Sequence, residues 1–199
     1  MALLALRFDD QDLKRRLVAL SVVRQTAFGL ITCERMFPAL RSFGEDTGFD
    51  ISTYQRCLDV GWNSLDHGDS NHFSERAKTC FDNAPDTERF SHPLTSAALN
   101  SALSIALLMG FLADRNTDHI VELARLAFDT AFLRAQEPGY GLRFATGSAG
   151  ITAHPIVQQE LRRQAEDLLF VNGLPENAGL EIVPLTRARI RSTAGMVPD

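Results

Sequence analysis

Apolar residues recur along most of this chain at intervals of three and four residues. The clearest example is Tyr54, Leu58, Trp62 and Leu65, which follow one another at spacings of four, four and three. At about 100° per residue, these side chains share one face of an α-helix. The spacing therefore predicts a helix that buries this face and turns its polar residues towards solvent.

The same reasoning predicts helices along most of the chain, and no segment has a convincing strand pattern. The predicted helices are 9–20, 21–37, 52–65, 72–81, 94–113, 117–135 and 154–171. Pro38 is expected to kink the second helix, or to open a short further turn that stops near Gly44. These elements predict an all-α fold, a single-domain bundle of about seven to nine helices over residues 1–199.

Two segments do not fit a confident helical pattern. Residues 137–153 are rich in Gly, Ser and Thr, and they are predicted to form a long loop. Residues 174–199 are an uncertain tail, for which a short kinked helix is one possibility. In the predicted helices 72–81 and 154–171, Phe81 and Leu169 are both expected to face the core.

Composition and charge narrow the class of protein. The 199 residues are 45% hydrophobic and 23% charged, which is typical of a globular domain that needs no disulfide or structural metal. The net charge of −5 argues against a general electrostatic grip on nucleic acid. The basic run at 187–191 is therefore interpreted as a solvated tail. No nucleic-acid partner and no membrane partner are expected.

The cysteines and the apolar segments predict a cytoplasmic protein. Cys33, Cys57 and Cys80 are far apart and form no CxxC pair, which argues against a disulfide framework and a zinc site. The first ten residues lack the basic region and cleavage site of a signal peptide. The apolar stretch 97–113 is interrupted by polar residues, which favours a buried helix over a membrane span.

Neither a metal nor a cofactor is expected from the motifs. His67 and His72 flank a short polar loop without the HxxxH or HExxH spacing of a metal helix. The glycine-rich run in 137–153 lacks both the GKS or GKT ending of a phosphate loop and a preceding strand.

Glu34 and Arg35 are the first candidate site residues. They lie in the run CERMFP, in the half of the second helix that is apolar nearly all round. Buried charges need partners, so the two are interpreted as pinning neighbouring helices and satisfying carbonyls freed by Pro38. Two alternatives stay open: a polar pocket whose carboxylate acts as acid or base, and two side chains that reach the surface.

Asp59, Trp62 and Asn100 complete the candidate set. Asp59 lies beside the core face that contains Trp62, where it could pair with Arg35. Asn100 lies on a polar line along an otherwise apolar helix. Close helix packing explains that line, and the alternative is a small-molecule pocket between helices.

Three stretches of the chain are similar, in order and spacing, to one bacterial family. They are CERMFPALRSFGEDTGF at 33–49, YQRCLDVGWNSL at 54–65 and HPIVQQELRRQAEDLLF at 154–170. The chain resembles the family named domain of unknown function 416 over roughly residues 10–172. The resemblance implies a small all-helical protein and implies no reaction, substrate or catalytic residue.

Two principal functions follow as hypotheses. The first is an uncharacterised, non-enzymatic helical module that binds itself or another protein, and the support is the lack of a catalytic motif. The second is a small-molecule-binding protein or enzyme with a polar pocket around Glu34, Arg35 and Asp59. A third is an acidic protein that neutralises a basic partner such as a toxin, through the acidic runs at 44–50 and 82–88.

Overall fold

The computed structural model describes residues 6–67, 72–137, 148–175 and 179–194, and within these ranges the chain forms nine α-helices and no strand. The all-α prediction is confirmed. In chain order the helices are α1 (Asp10–Val18), α2 (Val22–Thr47), α3 (Ser52–His67), α4 (Phe73–Asp82), α5 (Thr95–Asp114), α6 (Thr117–Arg134), α7 (Ser148–Thr152), α8 (Pro155–Asn172) and α9 (Gly179–Ala194).

Helix α5 is the central element of the bundle. It packs against α2, α3, α4 and α6. Among the described helices, α5 alone is long and apolar enough to cross a membrane, but 61% of its most apolar window is buried inside the protein. An apolar helix enclosed by other helices is a core helix, as the interrupted stretch 97–113 predicts.

Helix α2 continues through Pro38, so the predicted stop near Gly44 is wrong. The helix ends at Thr47, and Gly48 follows with a φ of 74° in the left-handed region that favours glycine. An internal proline costs about 3 kcal/mol. Leu40 and Phe43 lie beyond it and are both fully buried. Burying each contributes about 1.5–3 kcal/mol, which is enough to offset the proline.

A glycine allows α2 to approach its neighbours closely. A Cβ atom at Gly29 would lie 2.9 Å from Cδ1 of Leu108 on α5 and 3.0 Å from Cδ1 of Ile120 on α6. A Cβ atom there would require the ends of the Leu108 and Ile120 side chains to move. Gly29 therefore lets α2 pack closely against both helices.

The predicted core stripe of α3 is confirmed, since Tyr54, Leu58, Trp62 and Leu65 are all buried. Two other inward assignments are wrong. Phe81 is 66% exposed and Leu169 is 68% exposed. In α4 the inward position belongs to the neighbouring Cys80, which is fully buried. In α8 polar side chains occupy part of the inward face, as described below.

The predicted loop and tail both contain helical structure. Helix α7 lies within 137–153, so the loop prediction is wrong for its last part, and residues 138–147 lie outside the described residues. Helix α9 forms most of the predicted tail and packs on α2 and α3. Its side of the bundle holds the charged network that surrounds Arg35.

Candidate functional site

Arg35 binds two carboxylates of α8. Its Nη1 donates to Oδ2 of Asp167 at 2.6 Å, and its Nη2 donates to Oε1 of Glu160 at 3.0 Å. The Arg35 side chain is 14% exposed, and that of Asp167 is fully buried. The pair therefore joins α2 to α8 in the interior, as the structural interpretation of Arg35 expects.

A second guanidinium completes the network. Arg189 of α9 donates from Nε to Oδ1 of Asp167 at 3.0 Å and from Nη2 to Oε2 of Glu166 at 3.1 Å. Gln164 donates to Oε1 of Glu160 at 2.9 Å and shares its amide with a carbonyl of α6. Asp167 is thus held between arginines from two helices, and three helices meet at one carboxylate.

The charges of this network compensate one another. Burial opposes the Arg35 cation, but the carboxylates of Glu160 and Asp167 outweigh it and raise the Arg35 pKa above its usual value. Removing one member of such a pair leaves a buried charge without compensation. Arg35 therefore stays charged at any physiological pH.

Glu34 has a separate partner on α3. Nε1 of Trp62 donates to Oε1 of Glu34 at 2.8 Å, and the indole is 3% exposed. On the same indole, the guanidinium carbon of Arg187 lies 5.0 Å from the ring centroid, a cation–π distance. Glu34 and Arg35 therefore serve different helix contacts, which agrees with their divergence of about 100° on the helix.

The remaining candidates do not join this cluster. Asp59 is exposed, and its nearest polar partner is Gln55 at 3.5 Å, so the proposed Arg35–Asp59 pair is wrong. Asn100 donates to Oγ1 of Thr130 at 3.0 Å and links α5 to α6. Within the described residues, Asp59 and Asn100 bond to Gln55 and Thr130 and not to the Arg35 network, which counts against one polar pocket formed by all five candidates.

Helix spacing could have revealed the partners of Arg35. Glu160, Gln164 and Asp167 lie at i, i+4 and i+7, so they form one polar line along α8. All three are buried. The line lies among the apolar residues of the same face, which is the pattern of a buried polar seam rather than a solvated surface.

An apolar groove lies between α4 and α6, and part of its lining comes from α5. It encloses about 410 Å³. We call it the α4–α6 groove, and it is lined by Ala77, Lys78, Phe81, Asp82, Leu103, Ala106, Leu107, Gly110, His119, Glu122 and Leu126. Phe81 projects beside a floor of leucine and alanine, while charged side chains stand at the rim.

A second cavity lies between α3 and α4, and Cys57 is part of its lining. The sequence spacing of the cysteines did not predict that two of them lie close together beside it. Cys57 and Cys80 are 23 residues apart, yet their Sγ atoms lie 3.4 Å from each other. All three cysteines are free thiols. Within the described residues, no group of three or more His, Cys, Asp or Glu side chains is arranged to hold a metal ion.

Fold and site together define an all-helical bundle with an internal charged network and an apolar groove on its surface. The chain belongs to the family described as "Protein of unknown function (DUF416)", whose model matches residues 12–193. The resemblance found in the sequence is therefore confirmed.

Two relatives support this membership. The chain is 25% identical to the "Uncharacterized protein YjaG" of Escherichia coli K12 over 180 residues, which cover 88% of this chain and 89% of that one. It also resembles the crystal structure of a DUF416 family protein from Shewanella baltica, with a TM-score of 0.78 and 22% identity. That match covers 90% of this chain and 93% of the other, and it shows a shared fold. Neither description names an activity.

Proposed function

We propose that this chain is a non-enzymatic protein-interaction module that pairs with a second copy of itself through the α4–α6 groove. The observation that carries the proposal is Phe81, a large apolar side chain that is 66% exposed at the edge of an apolar groove. Single exposed apolar residues are common on proteins. An exposed aromatic beside a groove of matching chemistry is the arrangement of an interface anchor and its pocket.

Self-pairing is favoured because one face carries both the protruding side chain and the groove. A two-fold axis makes each copy present the same face to the other, so each Phe81 can enter the groove of the other copy. If the axis runs parallel to α5, α4 of each copy lies against α6 of the other. The floor residues Leu107 and Leu126 would then cover the incoming ring.

The charges at the rim are compatible with this arrangement. Lys78 lies on the α4 side of the groove, where it pairs with Asp82, and Glu122 lies on the α6 side, where it pairs with Arg125. The axis parallel to α5 brings Lys78 of one copy opposite Glu122 of the other, twice by symmetry. Opposite charges at an interface rim favour the correct orientation and disfavour others.

The test is the mass of the full chain in solution, measured by light scattering over a range of micromolar concentrations. Burying a phenylalanine contributes about 1.5–3 kcal/mol, and a two-fold interface buries it twice. Phe81→Ser is therefore expected to weaken dimerisation by about a hundredfold or more. Leu169→Ser is the matched control, because Leu169 is exposed to the same degree on α8.

The expected result is a dimer for the parent and for Leu169→Ser, and a monomer for Phe81→Ser. A parent that stays monomeric throughout, or a Phe81→Ser variant that dimerises like the parent, would refute self-pairing through this groove.

A cytoplasmic location is part of the proposal. Its support is the set of three cysteines, all free thiols, which a reducing compartment maintains. Fractionation of host cells that produce the untagged chain, with the location read by antibody, tests this placement.

A further inference from the structure

Cys57 of α3 and Cys80 of α4 are positioned as a pair. The Cys80 thiol donates to Sγ of Cys57 at 3.4 Å. A disulfide requires about 2.05 Å, so the two sulfurs need to approach by only about 1.4 Å. The hydroxyl of Tyr54 donates to the Cys80 carbonyl at 3.1 Å and ties α4 to α3 at this point. The two helices thus already hold the sulfurs close to bonding distance.

A cavity between α3 and α4 opens to solvent, and Cys57 is one of its lining residues. It encloses about 450 Å³, and its walls are Thr53, Arg56, Cys57, His72, Glu75, Arg76 and Thr79. Arg56, His72, Glu75 and Thr79 are exposed, so they form the mouth. Cys57 is 1% exposed. The sulfur is therefore shielded from large molecules while it borders a polar space that admits small ones.

The cavity favours negative charge at Cys57. Arg56 and Arg76 supply two cations, and Glu75, the carboxylate among the described wall residues, lies 3.3 Å from His72. The hydrogen bond from Cys80, followed by the charge and a hydrogen bond of Arg76 and the charge of Arg56, lowers the pKa of Cys57 to about 7 despite burial. The same bond, together with burial, raises the pKa of Cys80. Cys57 is thus the nucleophile and Cys80 the protonated partner.

Arg76 also has a free donor near this site. Its Nε is buried and has no hydrogen-bond partner within the described part of the chain. A buried donor without a partner costs free energy unless a bound group satisfies it. An oxygen of a small polar molecule in the cavity would provide that acceptor.

We propose that Cys57 and Cys80 form a redox-active dithiol site, which a small hydroperoxide entering through this cavity oxidises to a disulfide. This inference is independent of self-pairing through the α4–α6 groove. A buried cysteine otherwise behaves as a small apolar residue, so packing of the core does not by itself require two neighbouring thiols. The proposed site gives this pair a chemical role.

The reaction has two steps. The Cys57 thiolate attacks one oxygen of the hydroperoxide, the O–O bond breaks, and the remaining oxygen leaves as an alkoxide that takes up a proton. Cys57 is then a sulfenic acid. The Cys80 sulfur loses its proton and attacks the Cys57 sulfur, which forms the S–S bond and releases water. In total, the two thiols lose two electrons and two protons, and the hydroperoxide becomes an alcohol and water.

Cys33 provides the internal control. It is fully buried in the core, and burial followed by the nearby Glu34 carboxylate raises its pKa well above the usual value. A protonated, enclosed thiol reacts slowly with peroxide. Cys33 is also not among the residues that line the cavity at Cys57.

The first experiment treats the fully reduced, folded chain with hydrogen peroxide and follows its intact mass. The parent and Cys33→Ala are expected to lose two hydrogen atoms, and peptide mapping is expected to find Cys57 linked to Cys80. Cys80→Ser is expected to gain one oxygen, trapped at Cys57 by a dione reagent. Oxidation of Cys33 as fast as Cys57, or a parent that gains oxygen without forming the disulfide, would overturn the proposal.

The second experiment measures the rate of Cys57 oxidation against pH. The parent is expected to show a rise centred near pH 7, where the thiolate forms. Arg76→Gln removes a cation, so it is expected to move this rise in rate to higher pH and to slow the reaction at pH 7 by about tenfold. Arg76→Lys keeps the charge and is expected to retain most of the rate. An unchanged pH profile in Arg76→Gln would contradict the proposed role of this cavity.

Discussion

Arg35 and Asp167 are 132 residues apart in sequence, and in the fold their side chains form a 2.6 Å hydrogen bond. The carboxylate is fully buried, and it also accepts a bond from Arg189. Helices α2, α8 and α9 therefore meet at one charged centre. Since losing this buried carboxylate would take a charged partner from both arginines, the centre holds α8 and α9 against the rest of the bundle.

The first prediction concerns Asp167→Asn. The amide keeps the shape of the side chain but removes the buried carboxylate that Arg35 and Arg189 share, so each guanidinium loses a charged partner and the free energy of unfolding should fall by about 3–5 kcal/mol. Urea denaturation followed by circular dichroism measures this change. Asp59→Asn is the matched control, because Asp59 is exposed, and its effect should stay within about 0.5 kcal/mol. A loss below about 1 kcal/mol for Asp167→Asn would contradict a structural role for the network.

The second prediction concerns the bond between Trp62 and Glu34. Glu34→Gln keeps an acceptor oxygen but removes the charge that strengthens the bond, so we expect a loss of about 1 kcal/mol. Trp62 is the only tryptophan in the chain, so its fluorescence reports unfolding of this region directly. Glu34→Ala removes the acceptor and should cost more than Glu34→Gln. Equal stability of all three proteins would mean that the bond contributes nothing to the fold.

The core of the bundle could be predicted because its pattern is local. The stripe that begins at Tyr54 and ends at Leu65 depends only on the helical repeat, and burial follows from it. A kink at Pro38, or a stop near Gly44, is expected for an equally local reason. The stop is wrong because Leu40 and Phe43, further along the helix, find partners in the core that no local rule reveals.

The polar line of α8 can be recognised from its spacing, but its pairing with Arg35 could not be predicted because the partners are distant in sequence. Arg35 bonds to carboxylates 125 and 132 residues away, and nothing near Arg35 indicates α8. Turning Glu160 and Asp167 inward also changes which apolar residues of α8 face solvent. Leu169 is exposed for this reason, although its hydrophobicity alone predicts burial.

The third prediction uses Asp129, whose pKa is raised because burial, together with the carboxylates of Glu122 and Asp10, outweighs the nearby charge of Arg125. A folded-state pKa above the unfolded value means that the folded protein holds the proton more tightly. The favourable contribution is therefore present at low pH and is lost as pH rises through the folded pKa. Asp129→Asn should accordingly raise the thermal midpoint at pH 7. Below the usual aspartate pKa the difference should vanish, and a lower midpoint at pH 7 would contradict the stated cause.

The fourth prediction tests the orientation of the two copies at the α4–α6 groove. With the two-fold axis parallel to α5, Lys78 of one copy faces Glu122 of the other, so Lys78→Glu and Glu122→Lys should each weaken the dimer by placing like charges together. The double variant restores opposite charges and should recover most of the affinity, as measured by sedimentation equilibrium. Recovery should diminish at high salt, because rim charges are screened. If the double variant lost as much dimer affinity as the two single variants together, Lys78 and Glu122 would not face each other. A two-fold axis perpendicular to α5, which sets α4 against α4, would then describe the pairing better.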